Sequence, residues 1–172
     1  MPTKRLLSVS TLRLPVLDAA TAEFLEGGCA LIVGAVAPDG EPHASRGWGL
    51  TVLSDDPLVC RLLLPADDAP GLAHLAADAP IAITAADVPT LRSLQLKGRS
   101  LRVEPADDED AERADRYVTA FFGDIITVDR LPADRLERLR PPGYAACVVV
   151  IDEVYDQTPG PGAGARWAGV GA

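Results

Sequence analysis

From Thr90 to Arg99, in "TLRSLQLKGR", the apolar Leu94 and Leu96 alternate with Ser93, Gln95 and Lys97. That parity predicts a strand with one buried face and one face bearing a hydroxyl, an amide and an ammonium in a row. The strand extends over residues 91–104. Similar patterns divide the rest of the chain. Asp18 is placed to cap a short helix in "AATAEFLEGG", which stops at Gly27-Gly28. "CALIVGAVA" (29–37) is a continuous, partly β-branched apolar run, too short for most helices, and reads as a strand buried on both faces. Asp39-Gly40 in "PDGEP" is a hairpin signal, and "HASRGWGLTVLS" (43–54) is the return strand. A second turn at Asp55-Asp56-Pro57 leads to a third strand, "LVCRLLLP" (58–65).

A short helix in "APGLAHLAADA" ends before Pro80, and "IAITAAD" (81–87) is the fourth strand. After the fifth strand, Ala114, Tyr117, Val118, Phe121 and Phe122 fall on one face of a helix beginning near Pro105. The acidic block Asp107–Asp110 lies in its first turn, where carboxylates complement the helix dipole. "PADRLERLR" (132–140) is a further short helix, and "YAACVVVIDEVY" a sixth strand. The remaining tail is rich in glycine and proline. Six strands in mostly sequential order, with helices inserted after the third and fifth, predict a mainly β fold, a small antiparallel barrel filled by its own side chains. A ligand then belongs outside the barrel, in a groove between subunits or beside an inserted helix.

The chain's 172 residues suit one domain, and its net charge of −9 argues against nucleic acid and anionic membrane surfaces as partners. A local arginine pocket can still hold a small phosphorylated ligand. No stretch reaches membrane-spanning length, and "MPTKRLLSVSTLRLPV" lacks a sustained apolar region, so a cytoplasmic location is expected. Cys29, Cys60 and Cys147 sit in apolar runs without a CxxC pairing and read as buried hydrophobes, with no metal site. "GPGAG" (160–164) lacks the lysine and the following helix of a phosphate-binding loop. His43 and His74 are the only histidines; His74, between apolar helix positions, reads as a packed imidazole. No nucleophile motif surrounds any serine, so no catalytic residue is assigned.

The basic strand positions carry more. Arg46 precedes Gly47-Trp48-Gly49, and Arg61 interrupts an apolar strand. Arg61 alone reads as an arginine reaching solvent from the strand. Taken with Arg46 and the Ser93/Gln95/Lys97 face, it is one of three clusters that adjacent strands would bring together around a phosphate. Gly47 and Gly49 would let a flat ring approach the backbone.

Several of these pieces resemble, in order, the FMN-binding split-barrel family related to pyridoxamine 5′-phosphate oxidase. "ALIVGAVAPDGEPHASRGWG" resembles that family's first hairpin, "GLAHLAADAPIAIT" its following helix and strand, and "RSLQLKGR" a strand of "R.V...G" or "QLKG" form. The resemblance covers roughly residues 20–156. It implies a six-stranded antiparallel split β-barrel with short peripheral helices. It places a single FMN-binding split-barrel domain at 1–156, followed by a Gly/Pro-rich C-terminal tail at 157–172. It further implies a homodimer with FMN at the subunit interface, held by Arg46, Gly47, Trp48, Arg61, Ser93, Gln95 and Lys97. Arg166 and Trp167 of the tail would fold across the partner's site and shape the substrate pocket, or the tail is a disordered extension. The chain departs from the family where its phosphate-binding lysine is expected, since Pro70, Gly71 and Leu72 stand there, and Ala79 replaces an asparagine. The terminal arginine–x–histidine of the oxidases is also absent. The expectation is therefore an FMN flavoprotein acting as an oxidoreductase on a small molecule, and not a true pyridoxamine phosphate oxidase. Two alternatives are a deazaflavin-dependent reductase and a non-catalytic dimer that binds haem or another ligand or has lost its cofactor.

Overall fold

Seven antiparallel strands form one sheet in the computed structural model of this chain, which describes residues 15–76 and 78–167. The N-terminal basic stretch (1–14) and the last tail residues (168–172) lie outside the described residues. The strands are β1 (Ala30–Val36), β2 (Pro42–Gly47), β3 (Leu50–Asp55), β4 (Leu58–Pro65), β5 (Pro80–Ala86), β6 (Ser93–Pro105) and β7 (Tyr144–Asp156). Helix α1 (Ala19–Glu26) precedes them, α2 (Ala69–His74) links β4 to β5, and α3 (Asp108–Asp129) and α4 (Ala133–Glu137) link β6 to β7. Among the described residues no helix is long and apolar enough to cross a membrane.

The expected count of six strands is corrected to seven, because the return strand over 43–54 is broken. Gly49 has φ +143°, a conformation that side chains other than hydrogen strongly disfavour, and it kinks the strand after Trp48. On either side of the kink, Trp48 N–H donates to the Leu63 carbonyl at 2.8 Å, and Leu63 N–H donates to the Gly49 carbonyl at 2.8 Å. The sheet order is β2-β1-β5-β6-β7-β4-β3. Its first and last members are consecutive in the chain, so the sheet curls round and meets itself at the kink. The expected sequential order also fails at the end of the chain. β7 inserts between β6 and β4, and α2 carries the chain from β4 to β5.

Alternation decides what fills the barrel. Leu31 and Val33 of β1, Ile81 and Ile83 of β5, and Leu94 and Leu96 of β6 point inward and are buried. The expectation that β1 is buried on both faces is corrected, since Ile32 and Val36 are 47% and 41% exposed. An apolar run cannot distinguish a covered outer face from an open one. Asp18 caps α1 as expected, accepting the Thr21 N–H at 2.6 Å. In α3 the five apolar positions read from the sequence are all buried. Asp107 and Asp110 form a reciprocal capping box there.

The described part of the tail bonds back to β7. Asp156 N–H donates to the Ala165 carbonyl at 2.9 Å, Trp167 N–H donates to Val154 at 2.7 Å, and Arg166 bridges Tyr155. Residues 157–167 therefore fold back on the chain's own β7.

Candidate functional site

The outer face of β2-β1-β5-β6 is set by strand register. One row across it reads Ala44, Gly34, Ala82, Lys97, Glu153, and the next reads Arg46, Ile32, Thr84, Gln95, Tyr155. The first row has almost no side-chain bulk at its first three positions. An open groove of about 660 Å³ follows, floored by Gly34, Ala44 and Ala82 and edged by His43 and Lys97. Its lining is overwhelmingly apolar, as ligand grooves for planar molecules commonly are. In the neighbouring row Gln95 Nε2 donates to Thr84 Oγ1 at 3.2 Å, and at the groove's edge Lys97 Nζ lies 4.9 Å from the centre of the Tyr155 ring. Lys97 makes no carboxylate ion pair among the described residues, so its ammonium is available to an anion.

Gln95 and Lys97 are thus together on the groove side of β6, as the parity of "SLQLKG" predicts. Arg46 shares their outer face at the opposite end of its row, with its guanidinium 5.3 Å from the centre of the Phe121 ring. The other predicted residues serve the scaffold. Ser93 is buried and donates to the Leu91 carbonyl at 2.9 Å. Gly47 packs against Leu31 and Leu62, where a methyl group would stand 2.8 Å from the Leu31 Cβ. Trp48 is buried, edge-on to Phe122 and tilted against Tyr144.

Arg61 is committed elsewhere. Its Nε donates to Asp110 Oδ1 at 2.7 Å, a second nitrogen reaches Asp110 Oδ2, and a third reaches Glu104. This fork ties β4 to the start of α3, and it explains a charge inside an apolar strand: the guanidinium is largely covered but paired. Asp110, 49 residues away in sequence, gave no sign of this beyond its place in an acidic run. Arg166 is held by Glu153 at 3.4 Å in the same chain, and Trp167 packs on the core.

Sequence reasoning missed a polar cluster on the other face of β2, against α2. His43 Nε2 lies 2.9 Å from Asp68 Oδ1, and the rings of His43 and His74 meet edge to face at 5.5 Å. The chain's two histidines therefore meet. Burial acts to raise the Asp68 carboxyl, but hydrogen bonds from Ser45, His43 and the Gly71 N–H hold it below the usual carboxylate range. An ionised Asp68 only accepts hydrogen bonds, so the His43 proton sits on Nε2. The one legible signal was Asp68 as the cap of α2, where it accepts the Gly71 N–H at 3.1 Å.

All three cysteines are buried, and burial pushes the thiols of Cys29, Cys60 and Cys147 up to about 12. A disulfide-exchange reagent is expected to leave them unmodified in the folded protein and to titrate all of them after unfolding. Rapid reaction of any one in native buffer would contradict this packing.

No protein-family model matches this sequence, and no curated protein matches it. Solved structures do resemble it. HupZ from Group A Streptococcus superposes at a TM-score of 0.51 and 14% identity, over 86% of this chain and 100% of that one. A candidate pyridoxamine 5′-phosphate oxidase from Lactobacillus delbrueckii gives 0.50 and 16%, over 81% and 93%. An F420 reductase gives 0.50 and 19%, over 77% and 93%. At such identities the likeness is one of fold.

Proposed function

We propose, from the premise that this chain has the split-barrel fold of the pyridoxamine 5′-phosphate oxidase-related proteins, that it is an FMN-binding oxidoreductase for a small molecule, working as a homodimer. The observation that carries this reading is the groove floored by Gly34, Ala44 and Ala82, with hydrogen-bond donors confined to its rim. A flat apolar ring suits such a floor, and the amide and ammonium of Gln95 and Lys97 suit the oxygens of a polar ring edge or side chain. Exposed Ile32 and Val36 on the same face give a second copy an apolar surface to cover.

A bound flavin would supply hydride or electron transfer. The chain's part is to orient the ring on the small-residue floor and to exclude water once the face is covered. The missing oxidase motifs leave pyridoxamine phosphate outside the proposed substrates. The F420 reductase likeness keeps a deazaflavin as the second reading, because the same floor accepts either ring.

The deciding measurement is the visible spectrum of the purified protein, before and after excess FMN and desalting. Retained flavin at about one per subunit is expected. A deazaflavin or haem spectrum would rename the cofactor, and a colourless protein that releases added FMN would end the flavin reading. Substitution of the floor adds a sharper check. A Cβ at Gly34 meets only the Ala82 carbonyl oxygen, at 4.0 Å, so Gly34→Val has room in the fold. The variant is expected to melt within about 1 kcal/mol of wild type while losing FMN, because valine rises into the groove. FMN retained at wild-type affinity would move the ring away from this face.

A further inference from the structure

The tail adds a position to the candidate face. Arg166 pairs antiparallel with Tyr155, so it continues the row Arg46, Ile32, Thr84, Gln95, Tyr155. Directly opposed residues of an antiparallel pair point to the same side, and Arg166 therefore shares the outer face with Gln95 and Lys97. Main-chain bonds fix its place on either side, from Asp156 N–H to Ala165 and from Trp167 N–H to Val154. In the next row Lys97 and Glu153 stand directly opposite each other. Opposite charges so placed ordinarily attract across the strands. These two form no ion pair, and both Glu153 oxygens are engaged elsewhere. Oε1 lies 3.4 Å from Arg166 Nη2, and Oε2 accepts the Tyr155 O–H at 3.0 Å. The Glu153 hydrogen bond holds the Tyr155 hydroxyl above the usual phenol range, so it stays a donor at neutral pH. Lys97 Nζ turns instead to the Tyr155 ring.

We infer that Arg166 is a positioning residue: it occupies Glu153, which would otherwise capture the Lys97 ammonium, and so keeps that ammonium free for the oxygens of a ligand in the groove. The identity of that ligand rests on the flavin reading above; the competition for Glu153 does not. A half-exposed pair such as Arg166–Glu153 adds little to stability. Its effect lies in which cation the carboxylate takes.

The test compares the full chain with Arg166→Gln and with Arg166→Gln/Glu153→Gln. Limiting acetic anhydride acetylates the amines, and peptide mass spectrometry reads Lys97 against Lys4, the chain's only other lysine. An ammonium held by a carboxylate offers the reagent less free amine. Lys97 of Arg166→Gln is expected to react about two- to five-fold more slowly than in the parent, the range of one cross-strand charge pair. The double variant should regain the parent rate. FMN affinity should fall by the same factor in Arg166→Gln, return in the double variant, and be kept by Arg166→Lys. A purely structural role would lower the melting temperature of Arg166→Gln, and the second change at Glu153 would not undo it. Lys97 reacting at the parent rate in Arg166→Gln overturns the inference, whatever FMN does. Equal FMN affinity in the parent and Arg166→Gln also overturns it and leaves the flavin reading standing. If the acetylation pattern holds while the parent binds no FMN, the role of Arg166 stands and the flavin reading falls.

Discussion

Asp110→Ala is expected to destabilise the protein by about 3–5 kcal/mol, the usual result of removing one partner from a buried ion pair. Asp110 is 1% exposed and the Arg61 side chain 12%, so little water can replace the lost carboxylate. Glu104 would remain as a partner of Arg61, but it is more exposed and also accepts from Arg102 Nε at 2.7 Å. The same substitution removes half of the capping box, because Asp110 accepts the Asp107 N–H at 3.1 Å. The midpoint of urea unfolding reads the effect, and an unchanged midpoint would mean that the fork contributes nothing. Arg61→Met combined with Asp110→Leu should recover much of the loss, since Arg61→Met removes the charge that the loss of Asp110 strands.

The pair also sets a pH dependence. Hydrogen bonds from Arg61, opposed by burial and aided by the Asp107 N–H, hold the Asp110 carboxyl below the usual carboxylate range. A carboxyl depressed in the folded state stabilises fully above its unfolded pKa of about 3.9, and the contribution is lost as pH falls through the folded value. Wild type should therefore lose stability more steeply than Asp110→Ala on acidification below about pH 4. Parallel curves would assign the acid sensitivity to other carboxylates.

Gly98→Ala is expected to prevent folding, or to cost more than about 4 kcal/mol. An alanine Cβ there would overlap the Val150 carbonyl oxygen and stand 2.9 Å from the Ile151 Cα. Those atoms are main chain in β7, paired to β6 on one side and, at Val150, to Val59 of β4 on the other. Neither can retreat without breaking the ladder. The β6–β7 register shifts between Lys97 and Gly98, the mark of a bulge where one backbone crowds another. Soluble Gly98→Ala protein with a wild-type melting temperature would contradict this account. Gly34→Val is its control, a larger change placed where space exists.

The local elements were legible because their causes are local. Asp18 as a cap, Asp39-Gly40 as a turn, the helical face of α3 and the parity of Gln95 and Lys97 all depend on residues a few positions apart. What escaped depends on distant partners. The break after Trp48 requires Leu63 to bond the chain on both sides of the kink. Placing β7 between β6 and β4 changes no periodicity, so no pattern announces it. Arg61 was read as one of several ligand-facing positions because its true partners lie on β6 and α3. The groove itself hid within β1, whose apolar run looks the same whether its outer side is covered or bare.

The meeting of the barrel's two ends at a kinked strand has a kinetic consequence. Most strands are held by ladders on both sides, but the junction between β2 and β4 rests on the Trp48–Leu63 and Leu63–Gly49 bonds. Amide hydrogens in the β6–β7 and β4–β7 ladders should exchange with solvent only when the whole domain opens, whereas those of Trp48 and Leu63 report the cheaper act of parting the seam. The fold thus carries its own zipper. Its fastener is a buried tryptophan between two glycines.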